Sequence, residues 1–288
     1  MKKRLLKCFC WLSVLMFIAT ACSAGSPISG QPGLNAKKHN QLQLIRNATM
    51  KITYAGKTFL TDPMFAAKGS FNGFIGVASN PTVELPFPEA QILAGVESVI
   101  VSHLHPDHFD RAAMEAIAKE LPIFCQSGDE DQITLAGFKN VKPVGNSVVI
   151  DNITITRVGG QHGKGKILEK LGKVSGFVLQ APGEPTVYWV GDSIWCPEVA
   201  ETIKRYQPEV IITHSGAATI PGHAPIIMDA EQTFQLISQA SGSLVISIHL
   251  EALDHCGLSR SDLRKLARLK KISDLSLLIP ADGAEIQF

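Results

Sequence analysis

The chain has 288 residues, 45% of them hydrophobic, so one large domain or two small ones can bury a full core. Its formal net charge is only +1, and its Lys and Arg residues are spread along the chain. That leaves no basic stripe of the kind a nucleic-acid backbone requires, so nucleic acid is not an expected partner.

The amino-terminal residues form a unit of their own. Lys2, Lys3, Arg4 and Lys7 make a basic start, Phe9 to Ile18 an apolar run, and Ala19-Thr20-Ala21 a small-residue cleavage context. This is the layout of a secretory signal over residues 1–22. The apolar run is shorter than the ~20 residues that span a bilayer, which argues against a permanent transmembrane helix. Ala19-Thr20-Ala21-Cys22 also resembles a bacterial lipoprotein box, with Ala19 where Leu is usual. Two outcomes stay open: lipidation of Cys22 with attachment to a membrane, or ordinary cleavage after Ala21. Both imply an exported protein, periplasmic or membrane-anchored. Of the other cysteines, Cys8 and Cys10 fall within the signal, while Cys125, Cys196 and Cys256 do not make a disulfide framework. Buried thiols are expected, with a Cys196–Cys256 bridge as the alternative.

Ser23 to Asn40 is rich in Gly, Ser, Pro and Asn without a hydrophobic period, and reads as a flexible tether over residues 23–40. The folded domain is expected over residues 41–288. It opens with three alternating runs, Leu42 to Arg46, Thr49 to Tyr54 and Thr58 to Thr61, broken by Asn47 and Gly56, which predict an antiparallel meander. Pro63 to Ala94 is Pro- and Gly-rich with little periodicity and reads as a long irregular excursion, given something to bury by Phe65, Phe71, Phe74 and Phe87. Ser98 to Ser102 then predicts a strand, and Asp110 can N-cap a helix through Leu121. Further strands are expected at Ile123 to Gln126, Val148 to Ile150, Ile153 to Val158, Gly176 to Gln180, Thr186 to Val190, Val210 to Thr213 and Leu244 to Ile248. Helices are expected at Glu198 to Tyr206, Asp229 to Gln239 and Ser259 to Leu269, the last opened by the capping pair Ser259 and Asp262. Such mixing implies two sheets covered by helices.

The stretch that carries chemistry is Ser102-His103-Leu104-His105-Pro106-Asp107-His108, which follows an apolar strand and precedes a capped helix. Four metal-ligand side chains are thus crowded into one strand-to-helix turn, and imidazole and carboxylate donors suit zinc and similar divalent ions. In an extended turn His103 and His105 point the same way, while Asp107 and His108 can reach a second position. The competing reading is a solvated turn that happens to be His-rich, but imidazoles gain nothing specific from such crowding without a metal.

This cluster resembles the H-x-H-x-D-H motif of the metallo-β-lactamase superfamily. The similarity runs from about Leu42 to the end and includes Thr61-Asp62-Pro63, His162 in Gly159-Gly160-Gln161-His162-Gly163, Asp192 in Gly191-Asp192-Ser193, and His249 after a strand. The resemblance implies an α/β protein with the αββα four-layer metallo-β-lactamase sandwich, acting as a hydrolase with two divalent metal ions. Zinc is the default, with manganese or iron as alternatives. It implies that His103, His105 and His162 hold the first metal, that Asp107, His108 and His249 hold the second, and that Asp192 bridges both. Asp62 matches a buried carboxylate that supports the ligands from behind, although an Asp can also simply open the turn before Pro63. Asp107 would orient the attacking water and carry its proton. His255 is a candidate proton donor to the leaving group or a substrate contact, with an ordinary core or surface histidine as the alternative. His214 and His223 flank Ser215 to Gly222 and read as structural or peripheral; His39 falls in the tether.

Softer cues, among them Gly172-Lys173-Val174-Ser175-Gly176-Phe177, Met228-Asp229-Ala230 and Pro280-Ala281-Asp282-Gly283, resemble the branch with ascorbate-phosphate lactonase-like and N-acyl-phosphatidylethanolamine phospholipase D-type enzymes. That implies a lactone, ester or phosphodiester bond in a small-molecule or lipid-like substrate. Antibiotic-cleaving β-lactamases differ in lacking the bridging aspartate that Asp192 supplies. Flavodiiron proteins differ in having a carboxylate where His105 stands. A non-catalytic metal- or ligand-binding lipoprotein would be expected to have lost a ligand, and none is missing.

Overall fold

A computed structural model describes residues 40–288; the signal-like segment, Cys22 and the tether as far as His39 lie outside the described residues. Strands β1 (Gln41–Arg46), β2 (Thr49–Tyr54) and β3 (Lys57–Thr61) form the expected meander. Asn47 and Gly56 take positive φ at its two turns, where Asn and Gly are the residues that accept it. Beyond the excursion come α1 (Glu89–Leu93), β4 (Ser98–Val101), α2 (Arg111–Ala116), β5 (Ile123–Gln126), α3 (Glu130–Leu135) and β6 (Val141–Val144). The second half runs β7 (Ser147–Ile150), β8 (Ile153–Val158), α4 (Ile167–Leu171), β9 (Gly176–Gln180), β10 (Val187–Trp189) and α5 (Pro197–Tyr206). It continues with β11 (Val210–His214), α6 (Ala230–Gln239), β12 (Leu244–Ile248), α7 (Arg260–Leu269), β13 (Leu277–Leu278) and β14 (Glu285–Gln287).

Two seven-stranded sheets result, ordered β14-β1-β2-β3-β4-β5-β6 and β13-β12-β11-β10-β9-β8-β7. Strand alternation sends Leu44, Ile52, Phe59 and Phe124 of the first sheet into one core with Phe177, Trp189, Ile212 and Ile246 of the second. The opposite faces are covered by helices. Ile92, Ala113 and Ile133 of α1 to α3 pack on the first sheet, and Val199, Phe234 and Leu263 of α5 to α7 pack on the second. This is the αββα sandwich. Among the described residues no helix is long and apolar enough to cross a membrane.

Several elements differ from the sequence reading. Helix α2 stops at Ala116 because Ile117 turns to an extended ψ of 132° and is buried in the core. Strand β6 escapes a periodicity search because it carries Pro143 and exposed Lys142 at the rim of its sheet, where a missing N–H is tolerated. Strand β14 is a short polar edge, and α1, α3 and α4 are single-turn helices too short to leave a 3.6-residue pattern. Cys125, Cys196 and Cys256 are free thiols. The Cys196–Cys256 bridge is therefore excluded: Cys196 packs with α5 on the second sheet, whereas Cys256 lies beside His249.

The excursion is anchored at both ends. The buried Arg46 guanidinium donates to the carbonyls of Met64 (2.9 Å), Ala66 (2.8 Å) and Val83 (3.1 Å). Asp110, while capping α2 through Ala113 N–H, accepts the N–H of Ala66 at 2.6 Å. The N–H of Thr82 donates to Ala252 at 2.8 Å, tying the far end to the loop after β12.

Candidate metal centre

Strand pairing brings the chemistry to one edge. The β3–β4 pair and the β10–β11–β12 series are parallel, so their carboxyl ends fall together. Asp62 follows β3, Ser102 to His108 follow β4, Asp192 follows β10, His214 closes β11 and His249 follows β12. His162 arrives from the loop after β8. Asp62 and His249 sit at φ 39° and 59°, left-handed values that non-glycine residues adopt at a cost and that are common at functional sites. Before Asp192 the chain needs a glycine: Gly191 has φ 71°, and a Cβ there would lie 2.5 Å from the carbonyl oxygen of Ser175.

The donor atoms converge in two sets. In the first, His103 Nε2 and His105 Nδ1 are 2.9 Å apart and His162 completes the group. In the second, Asp107 Oδ2 lies 3.6 Å from His108 Nε2 and 3.4 Å from His249 Nε2. Asp192 Oδ2 stands between them, 3.2 Å from His108 Nε2, 3.5 Å from His162 Nε2 and 4.0 Å from His103 Nε2. Two ligand atoms on one tetrahedral zinc ion, with bonds of roughly 2.0–2.1 Å, sit roughly 3.3–3.4 Å apart. The separations here bracket that spacing.

Two further observations fit the residues to metal ions. His108 Nε2 and His249 Nε2 are buried without a hydrogen-bond partner, an arrangement that costs stability unless something satisfies the lone pair. The site also attracts positive charge. Burial pushes the His108 imidazole down, but Asp192, Asp107 and Asp62 outweigh it and hold it well above the usual range. His249 is raised to about 10 against its own burial, chiefly by Asp192. A bound cation meets both demands at once.

Three of these histidines are held from behind. Asp62, buried, accepts from Ser102 N–H (2.7 Å), the Ser102 hydroxyl (2.6 Å) and His108 Nδ1–H (2.6 Å). Because the Ser102 proton goes to Asp62, its oxygen accepts from His103 Nδ1–H at 2.9 Å. His162 Nδ1–H donates to the carbonyl of Ile226 at 2.9 Å. In all three histidines the Nδ1 proton is engaged and the Nε2 lone pair points to the cluster.

A cavity of about 200 Å³ opens on this cluster, lined by Phe74, His105, Pro106, Asp107, His162, Leu171, Asp192, Ile220, Ile226 and His255. Larger clefts, such as the one of about 620 Å³ beside Arg157 and Glu198, lie on open surface away from the ligands. His255 is 6% exposed, its Nδ1 has no hydrogen-bond partner, and its ring meets the Phe74 ring edge-on at 4.8 Å. Burial pushes its imidazole below the usual range.

A sequence profile of the beta-lactamase superfamily domain matches residues 57–250, the span that holds every residue of this cluster. The chain belongs to the beta-lactamase superfamily. Within that superfamily it is 36% identical over 250 residues to the UPF0173 protein YddR of Bacillus subtilis (strain 168), covering 85% of this chain and 98% of that one. A possible metal-dependent hydrolase from Veillonella parvula DSM 2008 is similar in structure, with TM-score 0.85 and 35% identity over 87% of this chain and 100% of that one. The isothiocyanate hydrolase from Delia radicum gut bacteria is similar too, with TM-score 0.82 and 35% identity over 86% and 99%. The chain is thus a metal-dependent hydrolase with a His and Asp cluster able to hold metal.

The structure brings together His103, His105, Asp107, His108, His162, Asp192 and His249, sets Asp62 behind them and lines the cavity with His255. His223 is exposed. His214, read from the sequence as structural or peripheral, is fully buried at the centre, 2.5 Å from Asp192. Its signal was there: it closes an apolar strand that pairs in parallel with the one ending before His249.

Proposed function

We propose that the chain hydrolyses small, uncharged, largely apolar electrophiles with two divalent ions, and that organic isothiocyanates, R–N=C=S, are the leading class. The cavity carries this reading. Its Phe74, Leu171, Ile220 and Ile226 walls face the ligand cluster, and none of its described lining residues is Lys or Arg. A phosphodiester would enter without a side-chain cation to meet it, whereas an apolar substituent gains about 25 cal/mol per Å² buried. At about 200 Å³ the cavity also falls below the roughly 300–1,000 Å³ of drug-sized sites. Similarity to an isothiocyanate hydrolase supports the same class. Lactones and uncharged esters remain compatible with these walls; phosphodiesters fit them poorly.

His103, His105 and His162 would hold one ion, Asp107, His108 and His249 the other, with Asp192 shared. Zinc suits these donors best, with manganese or iron as alternatives. Ions bound there would acidify water and polarise the bond under attack. The chain's own groups manage protons and water. Asp107, buried and facing the cavity, accepts the proton of the attacking water. The water oxygen bonds to the central carbon, the carbon–nitrogen bond breaks and the nitrogen gains two protons, so R–NCS and H₂O become R–NH₂ and COS. His255 is the non-ligand imidazole on the cavity wall, suited to deliver a proton to that nitrogen. Zinc-reconstituted protein should release amine and carbonyl sulfide from benzyl isothiocyanate and leave bis(4-nitrophenyl) phosphate and nitrocefin untouched. Efficient turnover of either of the latter, with none of the isothiocyanate, would overturn this reading.

Export belongs to the same proposal and rests on the amino-terminal sequence: a basic start, an apolar run and Ala19-Thr20-Ala21-Cys22. Fractionation of cells making the wild type and Cys22→Ala tests it. A membrane-bound wild type and a released variant are expected if Cys22 is lipidated, and soluble periplasmic protein from both if the signal is only cleaved. Cytoplasmic retention of the wild type would refute export.

A further inference from the structure

We infer that His214 is a positioning residue for Asp192 and not a metal ligand. By proximity alone it belongs with His108, Asp192 and His249, whose donor atoms lie within 4.8 Å of its own. Three observations remove it from the ligand set.

The first is spacing. His214 Nδ1 is 2.5 Å from Asp192 Oδ1, much closer than the roughly 3.3 Å of two ligands sharing one zinc ion, and right for a hydrogen bond between an imidazole and a carboxylate. The second is the other nitrogen. Trp189 Nε1 lies 3.0 Å from His214 Nε2. An indole N–H can only donate, so His214 Nε2 must accept, and the neutral ring carries its proton on Nδ1. That proton points at Asp192. Neither nitrogen keeps a lone pair for a metal.

The third is what the arrangement leaves open. With Oδ1 engaged by His214, Asp192 presents Oδ2, the oxygen nearest His108 and His162. The indole that sets the tautomer is itself fixed: Trp189 is fully buried between the sheets and stacks on Phe177 at 5.7 Å. The hydrophobic core thereby orients the shared carboxylate through one histidine.

This inference rests on the reading that both ligand sets hold ions, and the test separates the two. Zinc content after exhaustive dialysis, and zinc affinity by competition with a chromophoric chelator, should be measured for the wild type, His214→Asn, His214→Leu and Trp189→Phe. An Asn side chain can offer its amide N–H where Nδ1–H stands but is a poor zinc ligand. His214→Asn should keep the wild-type zinc count and the wild-type visible spectrum when loaded with cobalt(II). His214→Leu should bind the weaker ion roughly 10–100-fold less tightly. Trp189→Phe, which keeps an aromatic ring in the core, should fall between them. If His214→Asn loses an ion and shifts the cobalt spectrum as His214→Leu does, His214 is a ligand and the inference fails. It fails equally if His214→Leu binds like the wild type. A Trp189→Phe protein with unchanged affinity would contradict the role of the indole. A wild type that holds one ion would end the two-metal reading, and the His214 variants would still decide the inference for that ion.

Discussion

The cavity has two walls built in different ways. On the metal side the candidate ligands follow strand ends, and His103, His108, His162 and Asp192 are braced by buried hydrogen bonds, with Asp62 alone engaging Ser102 and His108. The facing wall, around Phe74, has little core of its own: Phe74 is 38% exposed and Val77 77% exposed. It hangs on one carboxylate. Asp254 accepts the N–H groups of Phe74 (2.8 Å), Ile75 (3.2 Å) and Val77 (3.1 Å) and the Asn80 amide (3.1 Å), and its own N–H donates to Asn80 Oδ1 at 2.8 Å. Gly73 is required there, since a Cβ would lie 2.3 Å from Asp254 Oδ2. The contrast teaches a division of labour. Rigid strand ends fix the chemistry, and a loop folded around a single side chain shapes the space for substrate.

Mutations should therefore separate the two walls. The largest effect is expected at Asp107→Ala, which on the proposed mechanism removes a ligand and the proton acceptor together. Turnover should fall by about 10²–10⁴-fold, with a matching loss of bound metal, checked by kinetics and metal analysis on the same samples. Asp62→Ala comes next. It strands two donors of Ser102 and the His108 Nδ1–H, so metal affinity should drop roughly 10–100-fold and the melting temperature should fall with it. Wild-type metal binding in this variant would contradict the bracing role.

On the other wall, Asp254→Ala should raise KM about 10-fold through lost loop contacts while leaving the metal content at the wild-type level. Hydrogen exchange should speed up across residues 73–80. A fall in metal content would break the distinction between the walls. The smallest effect is one of pH. Burial pushes the Asp254 carboxyl up, but the Asn80 amide and the loop N–H groups outweigh it and hold it below the usual carboxylate range. A group depressed in the folded state stabilises above its unfolded pKa and loses that contribution as pH falls through the folded value. The clasp should thus be unchanged from pH 8 to about 5 and release only in acid below the ordinary Asp value near 4. Fluorescence of a Phe74→Trp reporter would follow this, and release near neutrality would be the contrary result.

The same contrast explains what could be read from the sequence. The His103 to His108 turn is local, and Asp192 and His249 each follow an apolar strand, so both their chemistry and their arrival at one edge were legible in order along the chain. His214 was read only as structural or peripheral, with the Gly- and Ala-rich loop behind it, because its contact with Trp189 joins two strands 25 residues apart in the chain. The Asp254 clasp was invisible for another reason: its partners lie as much as 180 residues away in the chain, and neither a lone Asp nor a Gly- and Phe-rich excursion announces the pairing. Much of the excursion itself was seen as irregular and partly buried, but its fastening around Phe74 to Asp254 was not.

The most direct measurement is the hydrolysis of benzyl isothiocyanate by metal-free protein titrated with zinc. Formation of amine and carbonyl sulfide should rise with added zinc and level off at two ions per chain, and be absent from Asp107→Ala. Turnover without metal, or a protein holding two zinc ions that leaves isothiocyanates intact while cleaving a phosphodiester, would contradict the account.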